Sequence, residues 1–235
     1  TGLIGALRQL RDPLLLIAFP ITFAVLSIVL GYMNSWPVGF DFRGTLWEPA
    51  RALLDGAAIY PEPTRDNIVL GNPAVYPPVF IVASAPLTLL PVGAASWLWF
   101  CVLGACVSAA LWILQVRDWR CYALAFVFLF TRSSIHLGTI EPLLLLMVAA
   151  AWRWRDDAFR AAGAVGVAVV LKLFVWPLVV WLAITRRLRA AGLAVALAVM
   201  LAFVSWAAIG CAGLGDYPGV LRRLAPRGRG HALLA

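Results

Sequence analysis

The run of residues 67–116 contains no charged side chain over fifty consecutive positions. As one continuous α-helix it would be ~75 Å long, more than twice the ~30 Å hydrocarbon core of a bilayer. The run therefore predicts membrane-embedded helices that fold back or lie partly in the interface. Its prolines divide it into a short piece at 76–90 and a full span at 92–115. The prolines that divide it are Pro77, Pro78, Pro86 and Pro91.

The composition of the whole chain agrees with this interpretation, because 63% of its residues are hydrophobic and only 13% are charged. Soluble domains contain roughly 25% charged residues, so we expect an all-α polytopic membrane protein. The net charge is +8, but the basic residues fall in short clusters between apolar runs. Such clusters are typical of cytoplasmic loops that contact anionic membrane lipids, and we do not expect nucleic acid as a partner.

The positions of Lys172 and of the basic loops distinguish two possible topologies. The remaining apolar runs lie at 13–33, 121–137, 143–152, 161–185 and 190–209. If 76–90 and 161–185 each cross once, the loops "RDWR" and "RWRDDAFR" fall outside, against the positive-inside rule. If 76–90 stays at the outer surface and 161–185 folds as a hairpin with Lys172 at its tip, the basic loops lie inside. We favour the second arrangement. It has about seven transmembrane helices and places 34–91, "HLGTIEP", Lys172 and the "GDYPG" loop at 215–219 on one outer face.

The first outer loop contains a segment with the pattern of an amphipathic helix. Thr45 and Glu48 have the spacing of a capping box, and Gly56 is a suitable helix end. One face of this helix is apolar and the other is charged. The apolar face consists of Leu46, Ala50, Leu53 and Leu54, and the charged face of Glu48, Arg51 and Asp55. We expect a juxtamembrane helix on the membrane surface, with its charges forming a solvated face.

Asp41 precedes this helix and stands between Phe40 and Phe42. A carboxylate near apolar rings and the membrane interface tends to have a raised pKa, which suits a general base. The alternative is a loop aspartate that only solvates the chain.

Lys172 interrupts the apolar run "VAVVLKLFVWP". A lysine at a helix centre costs ~2.5–3.5 kcal/mol on insertion scales, so it needs a partner, a water-filled site or a route to the interface. At a hairpin tip it is a candidate phosphate-binding cation. Arg132 and His136 are candidates to add positive charge or hydrogen bonds to the same site. Glu141 has three candidate roles: to bind a sugar hydroxyl, to pair with Lys172 or Arg132, or to begin the next helix.

Other sites are less well supported. Tyr76 lies in "NPAVYPPVF", whose prolines favour an extended entry into the next helix, and it is a candidate to line the site.

The two histidines, His136 and His231, are too few for a multi-histidine metal site, and no zinc signature or phosphate loop is present. The four cysteines form no CxxC pair, and we expect them to behave as small hydrophobic residues. They are Cys101, Cys106, Cys121 and Cys211.

The order of these motifs resembles the GT-C membrane glycosyltransferases, and most closely glycosyltransferase family 87, the polyprenyl-phosphate-mannose-dependent mannosyltransferases. The resemblance rests on Asp41 after the first span, then "ARALLDGAAIY", "YPPVF…APLTLLP", "HLGTIEPLLLL" and "VLKLFVWPLVVWLAITRRLR". Thr139 and Glu141 stand where the family often has amide residues. The resemblance covers most of residues 10–220, so we expect a GT-C-like module at 1–220 and a polar tail at 221–235. Because the chain begins with Thr1 and the family's chains are longer, we expect it to be part of a longer protein.

The resemblance implies an enzyme at the outer face of the cell membrane. It would move a sugar, with mannose expected, from a polyprenyl-phosphate donor to a lipid-linked or glycan acceptor. Asp41 would be the general base, and Lys172, with Arg132, would hold the phosphate. Further substrate contacts are expected at Arg43, Tyr76, His136 and Glu141, without a metal or other cofactor. Two alternatives remain open: a transporter with Lys172, Glu141 and Arg132 along a polar path, and a non-catalytic membrane subunit.

Overall fold

The computed structural model describes residues 37–60, residues 76–210 and Leu214, and every element in these ranges is helical. The expected first span at 13–33, the "GDYPG" loop and the tail lie outside the described residues. Helix α1 is composite: it runs through Phe40–Phe42, a π-helical turn at Arg43–Trp47, and Glu48–Leu54. The later helices are α2 (Pro78–Ser84, extended by a 3-10 turn, Ala85–Leu89), α3 (Val92–Ile113), α4 (Trp119–Val127), α5 (Leu129–Leu137), α6 (Glu141–Arg153), α7 (Ala158–Leu171), α8 (Pro177–Ile184) and α9 (Leu188–Ala208).

Two of these helices, α3 and α9, are long and apolar enough to cross a membrane. Helices α5 and α6 together pass the same test, but they are bent by 118° at a short break, as in a broken span or a re-entrant loop. The described residues therefore contain two or three candidate spans. The expected total of about seven transmembrane helices in the whole chain stays a prediction.

Helices α7 and α8 form the hairpin that the position of Lys172 within the apolar run predicts. Lys172 has extended backbone angles, φ −149° and ψ 103°, which end α7. Leu182 of α8 lies in the same buried cluster as Val165 of α7. Arg187 and Asp156, which flank the two arms, form an ion pair of 2.6 Å. The chain therefore turns back at Lys172, and the basic loops on either side of the hairpin meet at its base.

Small residues allow α7 to pack closely against α9. The contact is lined by alanines of both helices, namely Ala161, Ala162, Ala164, Ala190, Ala191 and Ala194. A Cβ atom on Gly166 would lie 2.9 Å from the carbonyl oxygen of Ala194 and 3.1 Å from the side chain of Leu197. Small residues at such positions let helix backbones approach, which is how helices commonly associate in membranes.

The expected single helix at 121–137 is instead two helices, because the backbone of Phe128 leaves the helical region with φ −59° and ψ 125°. The sequence has neither proline nor glycine here. The break falls in the run "FVFLF", whose β-branched and aromatic residues are poorer helix formers than leucine or alanine.

Helix α1 begins five residues before the expected capping box. Its N-cap is Gly39, and the Thr45 hydroxyl donates to the main-chain carbonyl of Asp41 at 2.6 Å rather than capping a free N–H group. Pro49 has no N–H and cannot make the next helical bond. The preceding turn is wider, and the N–H of Glu48 donates to the carbonyl of Arg43, five residues earlier. Asp41 therefore lies within the first turn of α1.

The end of α1 agrees with expectation, because Gly56 follows it in the left-handed region with φ 71°. The two faces also agree in the main: Leu46 and Ala50 are fully buried, whereas Glu48 and Arg51 are exposed. Leu54, the last helical residue, is 58% exposed and does not join the buried face. A position on the membrane surface stays a prediction for this helix.

The α7–α9 contact gives a test of the fold. Gly166→Ala is expected to lower stability by about 1–3 kcal/mol, because the added methyl group overpacks the contact with α9. Gly163→Ala is the matched control, since nothing lies within 4 Å of a Cβ on Gly163. Because residue 163 lies in the helix interior, this control is expected to raise the free energy of unfolding by about 0.5–1 kcal/mol. Thermal unfolding in detergent measures both, and equal melting temperatures for the two variants would contradict the close contact.

Candidate active site

The start of α1 is held against the loop between α5 and α6 by main-chain contacts. The N–H of Gly39 donates to the carbonyl of His136 at 2.8 Å. The indole Nε1 of Trp99, on α3, donates to the carbonyl of Gly138 at 2.9 Å. Three segments far apart in sequence therefore meet at one end of the helices.

Glycine is required at both positions of this contact. Gly39 and Gly138 have φ 74° and 82°, in the left-handed region that other residues rarely adopt. A Cβ on Gly138 would lie 2.8 Å from the Cβ of Phe42 and 3.2 Å from the Cα of Gly39. The ring of Phe42 in turn stacks on Trp99 at 5.5 Å. We name this arrangement of Gly39, Phe42, Trp99 and Gly138 the glycine junction. It fixes the position of Asp41, which is half-buried and next to Phe42.

Glu141 and Lys172 form an ion pair beside the junction. Their Oε1 and Nζ atoms are 2.5 Å apart, and Nζ also lies 5.3 Å from the ring centre of Phe174. Glu141 begins α6 as well, with Pro142 after it, so two of its three candidate roles occur together. Its second oxygen, Oε2, is buried and has no hydrogen-bond partner within the described part of the chain.

Tyr76 lies within electrostatic range of both acids of the site. Burial raises the pKa of its hydroxyl, and the negative charges of Glu141 and Asp41 raise it further. The phenol is therefore protonated at neutral pH and available as a hydrogen-bond donor. Its position is fixed by the Tyr60 hydroxyl, which donates to the main-chain carbonyl of Tyr76 at 2.8 Å, and by an edge-on contact with Phe80. Asp41, Tyr76, Glu141 and Lys172 thus share one end of the structure.

The other candidates, Arg132, His136 and Arg43, lie on α5 and α1. Arg132 and His136 are half-buried on α5. Arg43 is exposed in the π-helical turn of α1. Neither arginine forms an ion pair with another described residue. Among described residues, no group of three or more His, Cys, Asp or Glu side chains could hold a metal ion. The roles of all these residues stay predictions.

The opposite end of the helices is strongly basic. The loops around 117–120, 153–160 and 186–189 contain eight arginines and three aspartates. One aspartate, Asp156, accepts hydrogen bonds from Arg187, and this lowers its pKa. By contrast, the end with Asp41 and Lys172 carries acidic and basic residues in a mixture.

The glycine junction is the part of the site that the sequence did not indicate. Gly39 and Gly138 flank motifs of interest, "FDF" and "TIEP", and glycines beside such motifs are a usable signal for a close backbone approach. Trp99 gave no signal, because it is one of several aromatic residues in an apolar run.

Comparison with known proteins yields one match. The sequence model of glycosyltransferase family 87 matches residues 74–228, which is more than half of the chain. The matched region includes Tyr76, Glu141 and Lys172, and it begins after Asp41. No curated protein and no solved structure matches the chain.

The glycine junction can be tested with a pair of glycine variants. Gly138→Ala and Gly56→Ala both place alanine in the left-handed region, which costs roughly 1–2 kcal/mol. Only Gly138→Ala adds a clash, because nothing lies within 4 Å of a Cβ on Gly56. We expect Gly138→Ala to lower the free energy of unfolding by about 1–3 kcal/mol more than Gly56→Ala does, as measured by thermal unfolding. A Gly138 variant no less stable than the Gly56 variant would contradict the tight contact.

Proposed function

Because the chain belongs to glycosyltransferase family 87, and is therefore a glycosyltransferase, we propose that it moves a sugar from a polyprenyl-phosphate donor to a lipid-linked or glycan acceptor. Mannose is the sugar we propose. The single observation that carries this proposal is the ion pair of Lys172 with Glu141, beside Tyr76, whose hydroxyl lies within electrostatic range of both Glu141 and Asp41. Asp41 then provides a proton acceptor and Lys172 a phosphate ligand at one end of the helices.

Lys172 is proposed to bind the phosphate of the donor. Its side chain is 30% exposed at the tip of the α7–α8 hairpin, so an anion can reach it. A lysine acts as a compact point charge with three N–H donors and is a common phosphate ligand. Charge develops on the phosphate oxygen as the sugar departs, and a fixed cation lowers the energy of that transition state. Arg132 is the second candidate for the same task.

Asp41 is proposed to be the general base. It accepts the proton of the acceptor hydroxyl while that oxygen attacks the anomeric carbon. A new bond forms between the acceptor oxygen and this carbon, and the bond from the carbon to the phosphate oxygen breaks. Its electron pair leaves with polyprenyl phosphate. Attack opposite the leaving group inverts the anomeric configuration.

The remaining candidates are proposed to orient the sugar. The protonated hydroxyl of Tyr76 is a donor, and the buried Oε2 of Glu141 is an acceptor with no described partner. His136 and Arg43 are further candidates for hydrogen bonds to the donor or acceptor. We propose that no metal or other cofactor takes part.

The distribution of charge supports an outer location for the site. The eight arginines of the opposite loops are expected on the cytoplasmic side of a multi-pass membrane protein. The end that carries Asp41 and Lys172 then faces outward. A lipid-linked donor reaches such a site from within the bilayer, so the enzyme needs no soluble nucleotide sugar there.

The role of Asp41 can be tested with an isosteric variant. Asp41→Asn is expected to lower kcat about 10²–10⁴-fold, because the amide cannot accept the proton. Asparagine has nearly the same shape as aspartate, and the bond from the Thr45 hydroxyl to the main-chain carbonyl of residue 41 does not depend on that side chain. Transfer of radiolabelled mannose from polyprenyl-phosphate mannose in reconstituted membranes is the measurement.

Glu48→Gln is the matched control for this assay. Glu48 is an exposed acid on the same helix, and its loss is expected to leave the rate within about twofold. Wild-type transfer by Asp41→Asn would contradict the general-base role. No transfer by the wild type would instead contradict polyprenyl-phosphate mannose as the donor.

The orientation in the membrane can be tested separately. Reporter fusions after Asp118 and Arg155 are expected to report a cytoplasmic location, and a fusion after Lys172 an outer one. An outer signal after Arg155 would overturn the proposed orientation.

A further inference from the structure

The ion pair of Glu141 and Lys172 is open to a ligand. The side chain of Lys172 is 30% exposed and that of Glu141 is 44% exposed. Pairs with this exposure contribute little to stability, because solvent competes for both charges. The pair is therefore not explained as a bond that holds the fold together.

The backbone around the pair is held by other bonds. The N–H of Lys172 donates to Ala168, and its carbonyl accepts from Val175, both at 3.0 Å. At the other partner, Glu141 begins α6, whose first turn is closed by the bond from Leu144 to Ile140 at 3.1 Å. The two side chains can separate by rotation about their own bonds while the helix ends stay in place.

A phosphate that binds Lys172 meets the carboxylate of Glu141 at the same ammonium group. The two anions carry like charge, and each disfavours the other at short range. They are therefore competitors for one cation rather than partners around it. In the structure Glu141 has this position, and it also balances the charge of Lys172 next to the apolar Phe174.

We propose that Glu141 is an exchangeable counter-ion for Lys172, a role that rests on the proposed function because it requires a donor with a phosphate group. Glu141 holds the ammonium group in the empty site and yields it to the donor phosphate. After transfer it returns to Lys172 and displaces polyprenyl phosphate. Glu141 thereby weakens the binding of the product and promotes its release. It is a positioning residue, since it acts through Lys172.

The test measures binding of a short-chain polyprenyl phosphate, without sugar, to the protein in nanodiscs. Glu141→Gln keeps the size of the side chain and removes its charge. Removal of a competing ion pair of this exposure is expected to tighten binding about two- to fivefold. In the transfer assay the same variant is expected to show stronger inhibition by polyprenyl phosphate and a lower kcat. Glu48→Gln is the control for a general loss of negative charge at this end.

A second variant tests whether the effect passes through Lys172. In the Lys172→Met background, binding is expected to be weaker, and Glu141→Gln is expected to add nothing. If Glu141→Gln raised the affinity for polyprenyl phosphate equally with and without Lys172, the proposed exchange of counter-ions would be overturned.

Two further results would overturn the counter-ion role while leaving the proposed function in place. One is wild-type affinity for polyprenyl phosphate in Glu141→Gln. The other is a loss of affinity for polyprenyl-phosphate mannose with no change in the affinity for polyprenyl phosphate, which would leave Glu141 as a ligand of the sugar alone. Failure of the proposed function is recognised differently: no variant, the wild type included, would bind polyprenyl phosphate, and the counter-ion role would fall with it.

Discussion

Gly39 and Gly138 approach each other so closely that a methyl group on Gly138 would touch both Phe42 and the backbone of Gly39. This contact joins the start of α1 to the bend between α5 and α6. The hydrogen bond from Trp99 to the Gly138 carbonyl ties the same point to α3. Because Asp41 lies two residues after Gly39 and Glu141 three residues after Gly138, the junction sets the distance between the two acids. The chemistry proposed for Asp41 depends on it.

A second constraint is the cost of charge inside a membrane protein. Lys172 interrupts an apolar run, and an unpaired lysine within a span is expensive. The chain avoids that cost in two ways. The helix ends at Lys172 and turns back, and Glu141 supplies a counter-charge. The hairpin is closed at its other end by Arg187 and Asp156. A cation is thereby presented at a helix end, where an anionic ligand can reach it.

The sequence predicted those parts of the structure that have strong local signals. The position of Lys172 and the positive-inside rule together indicated the hairpin. Gly56 indicated the end of α1. Helical spacing indicated which charged side chains of α1 are exposed. The start of α1 was misplaced because Thr45 and Glu48 have capping-box spacing, whereas Pro49 instead widens the turn within a longer helix. The break at Phe128 has no proline or glycine to signal it.

The assembly of the site was only partly predictable. Pairing of Glu141 with Lys172 was one of several alternatives, since partners 31 residues apart are chosen by packing rather than by spacing. The glycine junction depends on three distant segments and on left-handed backbone at two positions. Single-sequence reasoning identifies glycines, but it cannot show which of them meet.

The most direct measurement is a cryo-electron microscopy structure of the protein in a lipid nanodisc with polyprenyl phosphate bound. The expected result is a phosphate oxygen about 3 Å from Nζ of Lys172, with the carboxylate of Glu141 turned away and Asp41 facing the same space. Phosphate bound at the basic end beside Arg187 and Asp156, with the Glu141–Lys172 pair intact, would contradict the assignment of the site.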